Sequence, residues 1–273
     1  MDSFVETHRA FVNTWECDEN AHMNVQFYLK RFDEAARFHA AMTANGAFDG
    51  APPRVRLVRY HGELHAAATT RIRSATVAAG PHAGCPVHLM ESTETGALSA
   101  TALDSDPLPV PGATVEEAEI EKALPRSLDL VAATAKTPDE MLRAGGLASH
   151  RCIVQPGECN ARGEMLEQFH VARFSDGAPF VWELAGIGTG WLREKNYGRV
   201  ALEMKITHHR PALAGDALVQ YSVPSTPGGK TFRLRHEIVR FCDNAPIATG
   251  EVVAVVLDLT TRKTVALPQT SQG

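Results

Sequence analysis

The sequence has no apolar run near the ~20 residues that would cross a bilayer, so no transmembrane helix is expected. Its opening stretch, MDSFVETHRAF, holds two acids and no apolar centre, and is not expected to act as a secretory signal. Cysteine is scarce. The five present (Cys17, Cys85, Cys152, Cys159 and Cys242) are odd in number and show no CxxC pair, so they read as reduced thiols of a cytoplasmic protein. Basic surplus is missing too, because a formal net charge of −5 argues against a nucleic-acid partner. GxxxxGK[ST], GxGxxG after a strand, GxSxG and HExxH are all absent, which removes the common nucleotide, serine-hydrolase and zinc-protease readings. The adjacent pair His208-His209 lies on a strand-like segment, where the two side chains point to opposite faces. No metal and no cofactor is expected. What is there, 44% hydrophobic and 22% charged residues, suits an ordinary globular chain, and 273 residues allow two small domains.

Self-comparison is the informative step. Displaced by 142 positions, HRAFVNTWECDENAHMNVQFYLKRFDEAA (8–36) lies over HRCIVQPGECNARGEMLEQFHVARFSDGA (150–178) without a gap, and 11 of 29 positions are identical. Ordinary composition would give roughly two. The matches include His8/His150, Arg9/Arg151, Glu16/Glu158, Cys17/Cys159, Met23/Met165, Gln26/Gln168, Phe27/Phe169 and Phe32/Phe174. A shared helix-plus-strand pattern would repeat apolar positions, but not His-Arg and Glu-Cys pairs. The chain therefore reads as a tandem duplication.

Each copy follows one order. A short strand (9–15 and 151–155) and a polar loop lead into an apolar helix starting near Ala21 or Gly163. In the first copy Val25, Tyr28, Leu29, Phe32, Ala35, Ala36 and Phe38 fall at helical spacing, and the many other apolar positions predict a helix buried on most sides. Strand-like segments follow at 54–61, 69–77, 85–94 and 97–104, and at 199–210, 216–223, 230–241 and 246–258. Four strands after one buried helix predict an antiparallel sheet around that helix, an α+β fold. The proline-rich DPLPVPG opens a connector with two short helices, begun by the cap-like Thr114-x-x-Glu117 and Thr137-Pro138-Asp139-Glu140. The expected division is a first repeat over 1–108, a linker over 109–146 and a second repeat over 147–273, with a polar, disordered tail after Pro268.

The loop before the first helix reads Trp15-Glu-Cys-Asp18-Glu-Asn20-Ala-His22-Met-Asn24-Val-Gln-Phe-Tyr28. This spacing resembles the active-site segment of the hotdog thioesterases, in the 4-hydroxybenzoyl-CoA thioesterase-like group and in plant acyl-ACP thioesterases. The first group has the pattern D-x-x-G-H-x-N-x-x-x-Y; Asp18, His22, Asn24 and Tyr28 keep their places, while Ala21 replaces the glycine. The plant enzymes have an Asn two residues after the Asp, as Asn20 is here, and a downstream Glu on a strand reading Y-R-R-E. Tyr60-His-Gly-Glu63 matches the first and last positions of that strand. In the second half, 198–219 and 248–268 resemble later strands of the same superfamily. The resemblance implies a double hotdog, each repeat a long central helix on an antiparallel sheet. It also implies hydrolysis of an acyl-CoA or acyl-ACP thioester, coenzyme A being part of the substrate. Asp18, Asn20, His22 and Glu63 are then the catalytic candidates, and Asn24, Tyr28 and Trp15 the substrate-binding ones. A homo-oligomer of such chains stays open.

Elementary chemistry points the same way. A thioester carbonyl needs a base or nucleophile and donors for the oxyanion. A carboxylate beside a helix start supplies the first, and unpaired amides near Ala21 and His22 the second. Glu63, if buried toward the helix, would be a second acid or base. The plainer readings stand beside these: Asp18 or Asn20 as a helix cap, His22 as a core-edge imidazole, and Asn24 and Tyr28 as packing residues. Cys17 reads as a small buried residue, since its copy Cys159 adjoins Asn160. In the second copy Asn160, Arg162, Glu164, Leu166 and His170 replace the motif residues, which suggests a structural half; Glu164 as its carboxylate is the lesser alternative. Arg54, Arg56, Arg59, Lys195, Arg199 and Lys205 are candidates for coenzyme A phosphates. A hotdog enoyl-CoA hydratase and a non-catalytic acyl-CoA-binding module remain open as alternatives.

Overall fold

The computed structural model describes residues 3–43, 52–107, 112–225 and 229–267. The expected proline-rich connector start at 108–111, the turn at 226–228 and the tail from 268 lie outside the described residues. Two compact units result, Met1–Ala132 and Ala133–Gly273. The first contains β1 (Val5–Phe11), α1 (Val25–Thr43), β2 (Val55–Tyr60), β3 (Thr69–Val77), β4 (Pro86–Ser92), β5 (Leu98–Asp104) and the short β6 (Thr114–Val115). Its antiparallel strand order is β1-β3-β4-β5-β2. The second contains α2 (Pro138–Arg143), β7 (Leu147–Ile153), α3 (Glu167–Leu184), α4 (Thr189–Lys195), β8 (Tyr197–His208), β9 (Ala217–Ser225), β10 (Thr231–Arg240) and β11 (Pro246–Asp258). Its order, β7-β9-β10-β11-β8, reproduces the first. Each unit is thus a long helix on a five-stranded antiparallel sheet, the α+β arrangement expected from the repeat. Among the described residues no helix is long and apolar enough to cross a membrane.

The eight later strands match the sequence reading to within a few residues, and three expectations need correction. The leading strands end at Phe11 and Ile153, earlier than expected, because a 3-10 turn takes over at Thr14–Glu16 and Pro156–Glu158. Helices α1 and α3 begin at Val25 and Glu167, one turn after Ala21 and Gly163, since the intervening loop bonds to itself. Helix α1 is buried on most sides, as expected, its exposed residues Glu34, Phe38 and Met42 forming one stripe. The connector forms one of the two short α-helices expected of it. Thr114 opens no helix; it pairs with Thr76 in a two-residue parallel strand. Val115, Ile120 and Ala123 then pack on Ala75, Val77, Val87 and Leu103, covering the sheet face that alternates away from α1. Thr137 does start a helix, its hydroxyl accepting from the Glu140 amide while the Glu140 carboxylate accepts from the Thr137 amide.

Side chains conserved between the halves make the same contacts twice. The Glu16 carboxylate accepts from Arg31 on α1 at 2.9 Å, with both groups buried. Glu158 accepts from Arg173 on α3 at 2.5 Å. Thr7, Ser74 and His88 form a buried chain of 2.7 Å contacts, and Ser149, Ser222 and His236 repeat it at 2.6 and 2.7 Å. The Cys17 and Cys159 thiols donate to the Asn13 and Gln155 carbonyls, a local closure that explains the shared cysteine.

Removing one partner of a buried ion pair strands the other charge, at ~3–5 kcal/mol. Arg31→Ala should therefore lower unfolding free energy by about that amount in urea titrations, whereas Lys30→Ala, on the exposed helix face, should stay within about 0.5 kcal/mol. Burial also holds His39 down to about 4, and His170 and His236 down to about 3, against 6.5 when unfolded. Between those values the unfolded chain binds more protons, so this stability is complete above about pH 6.5 and is lost as pH falls toward 4. His39 has no hydrogen-bond partner for either ring nitrogen among the described residues. His39→Leu should flatten the loss between pH 7.5 and pH 5 by up to about 2 kcal/mol, read from denaturation midpoints at the two pH values.

Candidate active site

The loop 17–24 is tied at both ends before the helix begins. The Asn24 amide donates to the Glu16 carbonyl at 2.8 Å, Cys17 bridges Met23, and the Asp18 amide donates to the His22 carbonyl at 2.8 Å. Within that closure Asp18 Oδ1 accepts the Asn20 amide at 2.8 Å and the His22 amide at 3.2 Å. The Ala21 amide donates to the Asp18 carbonyl. The amides near Ala21 and His22, expected to receive an oxyanion, thus serve Asp18 instead. Asp18 Oδ2 has no hydrogen-bond partner among the described residues. The Val25 amide, first in α1, likewise has no acceptor among the described residues.

The remaining candidates distribute as follows. Asn24 occupies the helix cap, its Oδ1 accepting from the Gln26 amide at 3.1 Å. Tyr28 is buried edge-on against Tyr60, with ring centroids 5.3 Å apart, and burial pushes its phenol up. Trp15 sits in the preceding 3-10 turn, 76% exposed. Glu63 lies not on a strand but in the loop after β2, half-buried, with Oε2 3.4 Å from His22 Nε2. His65, two residues on, meets His22 edge to face at 4.9 Å, and its Nδ1 lies 3.3 Å from the Ala21 carbonyl. The sequence reading passed over His65, although its place two residues after Glu63 was the available signal. The donor atoms of His22, Glu63 and His65 all lie within 4.8 Å of one another. Asp18, Asn20 and His22 thus share one loop, and Glu63 meets that loop at His22.

Several basic candidates are engaged elsewhere. Arg56 is fully buried in a bidentate pair with Asp104, Lys205 is buried against Glu251, and Arg59 donates to the Glu121 and Leu124 carbonyls. Arg56 and Lys205 are buried, where an unpaired charge would be costly.

The second half has the same loop with different chemistry. Asn160 Oδ1 accepts the Arg162 and Glu164 amides at 2.9 and 3.1 Å, and the Asn160 amide donates to the Glu164 carbonyl at 2.8 Å. Gly163 and Ala21 occupy the same left-handed position, φ 76° and 60°. The Glu164 carboxylate is taken by Arg162 at 2.7 Å and by the Asn160 amide group at 3.0 Å, which removes it as a ready base. His170 is buried beside His208, whose ring contacts buried Glu167 at 3.1 Å.

Residues 154–272, in this second half, match the family model described as Thioesterase-like superfamily. The whole chain is similar in fold to a structure described as an oleoyl thioesterase from Lactobacillus plantarum, at 8% identity and TM-score 0.62, covering 96% of each chain. It is similar to an acyl-ACP thioesterase from Bacteroides thetaiotaomicron at 8% identity and TM-score 0.63, covering 93% of this chain and 98% of that one. It is also similar to a 12:0-ACP thioesterase from Umbellularia californica at 11% identity and TM-score 0.59, covering 92% and 94%. Comparison with curated proteins finds no match. At these identities the likeness establishes the fold, a double hotdog.

A left-handed backbone strains an alanine by ~1–2 kcal/mol, a strain glycine avoids. Gly163→Ala should lower stability by about 1–2 kcal/mol, and Ala21→Gly should raise it by up to about 1 kcal/mol, both read from unfolding titrations. A loss of stability in Ala21→Gly would contradict the strain.

Proposed function

We propose that the chain hydrolyses an acyl thioester, carried on coenzyme A or an acyl carrier protein, with Asp18 as the general base. The observation that carries this reading is the state of Asp18: Oδ1 is locked by two loop amides while Oδ2 is left over for an incoming water. The relatives described as thioesterases share the fold, which is consistent with the reading but does not by itself extend their chemistry to this chain.

In the proposed step, Asp18 Oδ2 takes a proton from water as the water oxygen adds to the thioester carbonyl carbon. The oxyanion is met by the Val25 amide at the positive end of α1. The carbon–sulfur bond then breaks and the thiolate leaves, taking up the proton held by the carboxyl group. His22 and Glu63 supply a second proton-carrying pair beside the loop. Asn20 holds the turn through its backbone, and the exposed Trp15, three residues before Asp18, is read as a substrate-binding residue. The second half, with an amide at Asn160 and its Glu164 neutralised, is read as structural. Reduced cysteines are consistent with a cytoplasmic setting.

Asp18→Asn tests the base without disturbing the loop, because Asn160 makes the equivalent bonds with an amide. Release of free thiol from a panel of acyl-CoA and acyl-ACP substrates should fall by about 10²- to 10⁴-fold, with circular dichroism unchanged. Asn160→Asp should leave turnover within a few-fold. Full activity in Asp18→Asn would refute the assignment. Water addition to crotonyl-CoA without thiol release would instead mark a hydratase, and acyl-CoA binding with no turnover a non-catalytic module.

A further inference from the structure

We propose that His22, Glu63 and His65 form a binding site for a single divalent transition-metal ion of the zinc class. Two imidazoles and one carboxylate are the borderline donors that such an ion prefers, and three protein ligands leave a fourth position to solvent. His22 Nε2 and Glu63 Oε2 are already 3.4 Å apart, close to the ~3.3 Å edge of a tetrahedron built on metal–ligand distances of 2.0–2.1 Å. His65, whose ring is exposed, completes the set, all three donor atoms falling within 4.8 Å of one another.

The backbone supports this geometry on both sides. Residues 22 and 65 are paired by an antiparallel bridge, so the two imidazoles are presented from facing chain segments. The His65 tautomer that donates from Nδ1 to the Ala21 carbonyl, 3.3 Å away, leaves Nε2 with its lone pair for a metal. That carbonyl belongs to the turn closed by Asp18, so the orienting group is itself fixed. The second half provides an internal control. It has the same bridge, between Glu164 and Leu213, so Glu164 stands for His22 and Leu213 for His65. The residue two before Leu213 is Pro211, where the first half has Glu63. One backbone therefore occurs twice, and in the second half two of the three donor positions hold the non-ligands Pro211 and Leu213, while the third, Glu164, is neutralised by Arg162.

The site shares His22 and Glu63 with the proposed hydrolytic set, but metal binding does not depend on that reading. The test uses the full untagged chain, stripped with a chelator and titrated with zinc chloride in isothermal calorimetry and against a chromophoric zinc indicator. One equivalent should bind, and His65→Ala and Glu63→Gln should each weaken binding by about 100-fold, at or beyond the loss seen on removing a supporting group. His82→Ala, which lies elsewhere in the first unit beside Glu117, should bind as the parent does. Circular dichroism of each variant separates ligand loss from misfolding. Absence of binding by the parent, or full binding retained in folded His65→Ala, would overturn the proposal. Thiol release followed in the same titration keeps the two readings apart. Hydrolysis by a chain that binds no zinc removes the metal site alone, and one-site zinc binding by a chain with no hydrolysis removes the thioesterase reading alone.

Discussion

The buried pair between Glu16 and Arg31 is the constraint on which the site depends. Its guanidinium comes from the second turn of α1, and its carboxylate from the 3-10 turn after β1, so the pair fastens the chain on both sides of the Asp18 loop. The same Glu16 gives its side chain to the Asn13 amide and its carbonyl to the Asn24 amide. One residue thus sets where the strand ends, where the loop closes and where the helix begins. A buried ion pair is a poor source of net stability, since desolvation offsets the attraction, but it is a strong source of geometric definition. Its repetition as Glu158 and Arg173 keeps the same loop in a half whose motif residues have changed.

That repetition separates scaffold from chemistry. The side-chain bonds to the loop amides are made by Asp18 in one half and by Asn160 in the other, at nearly the same lengths. Loop geometry therefore does not require a charge at Asp18, and the carboxylate needs another reason. Likewise the bridge at His22 and His65 persists as Glu164 and Leu213, so backbone pairing does not require imidazoles. The groups proposed to react lie where the two copies differ, and packing groups where they agree. The buried Thr7-Ser74-His88 and Ser149-Ser222-His236 chains fall in the second category, fully enclosed between helix and sheet.

The tandem repeat, the α+β class, the positions of the later strands and the half that keeps the carboxylate were all legible in the sequence alone. These are local or self-similar properties: apolar alternation marks a strand wherever it packs, and an unbroken register of 142 positions needs no structure to be seen. Tertiary structure alone decided which amides Asp18 consumes, because the helix start depends on a turn closed by Glu16 rather than on propensity. It also decided that Arg56 and Lys205 are buried partners of Asp104 and Glu251, which requires strand register across distant segments. Glu63 and His65 meet His22 only through a bridge spanning more than forty residues, and no local pattern encodes a contact fixed by that folding back of the chain.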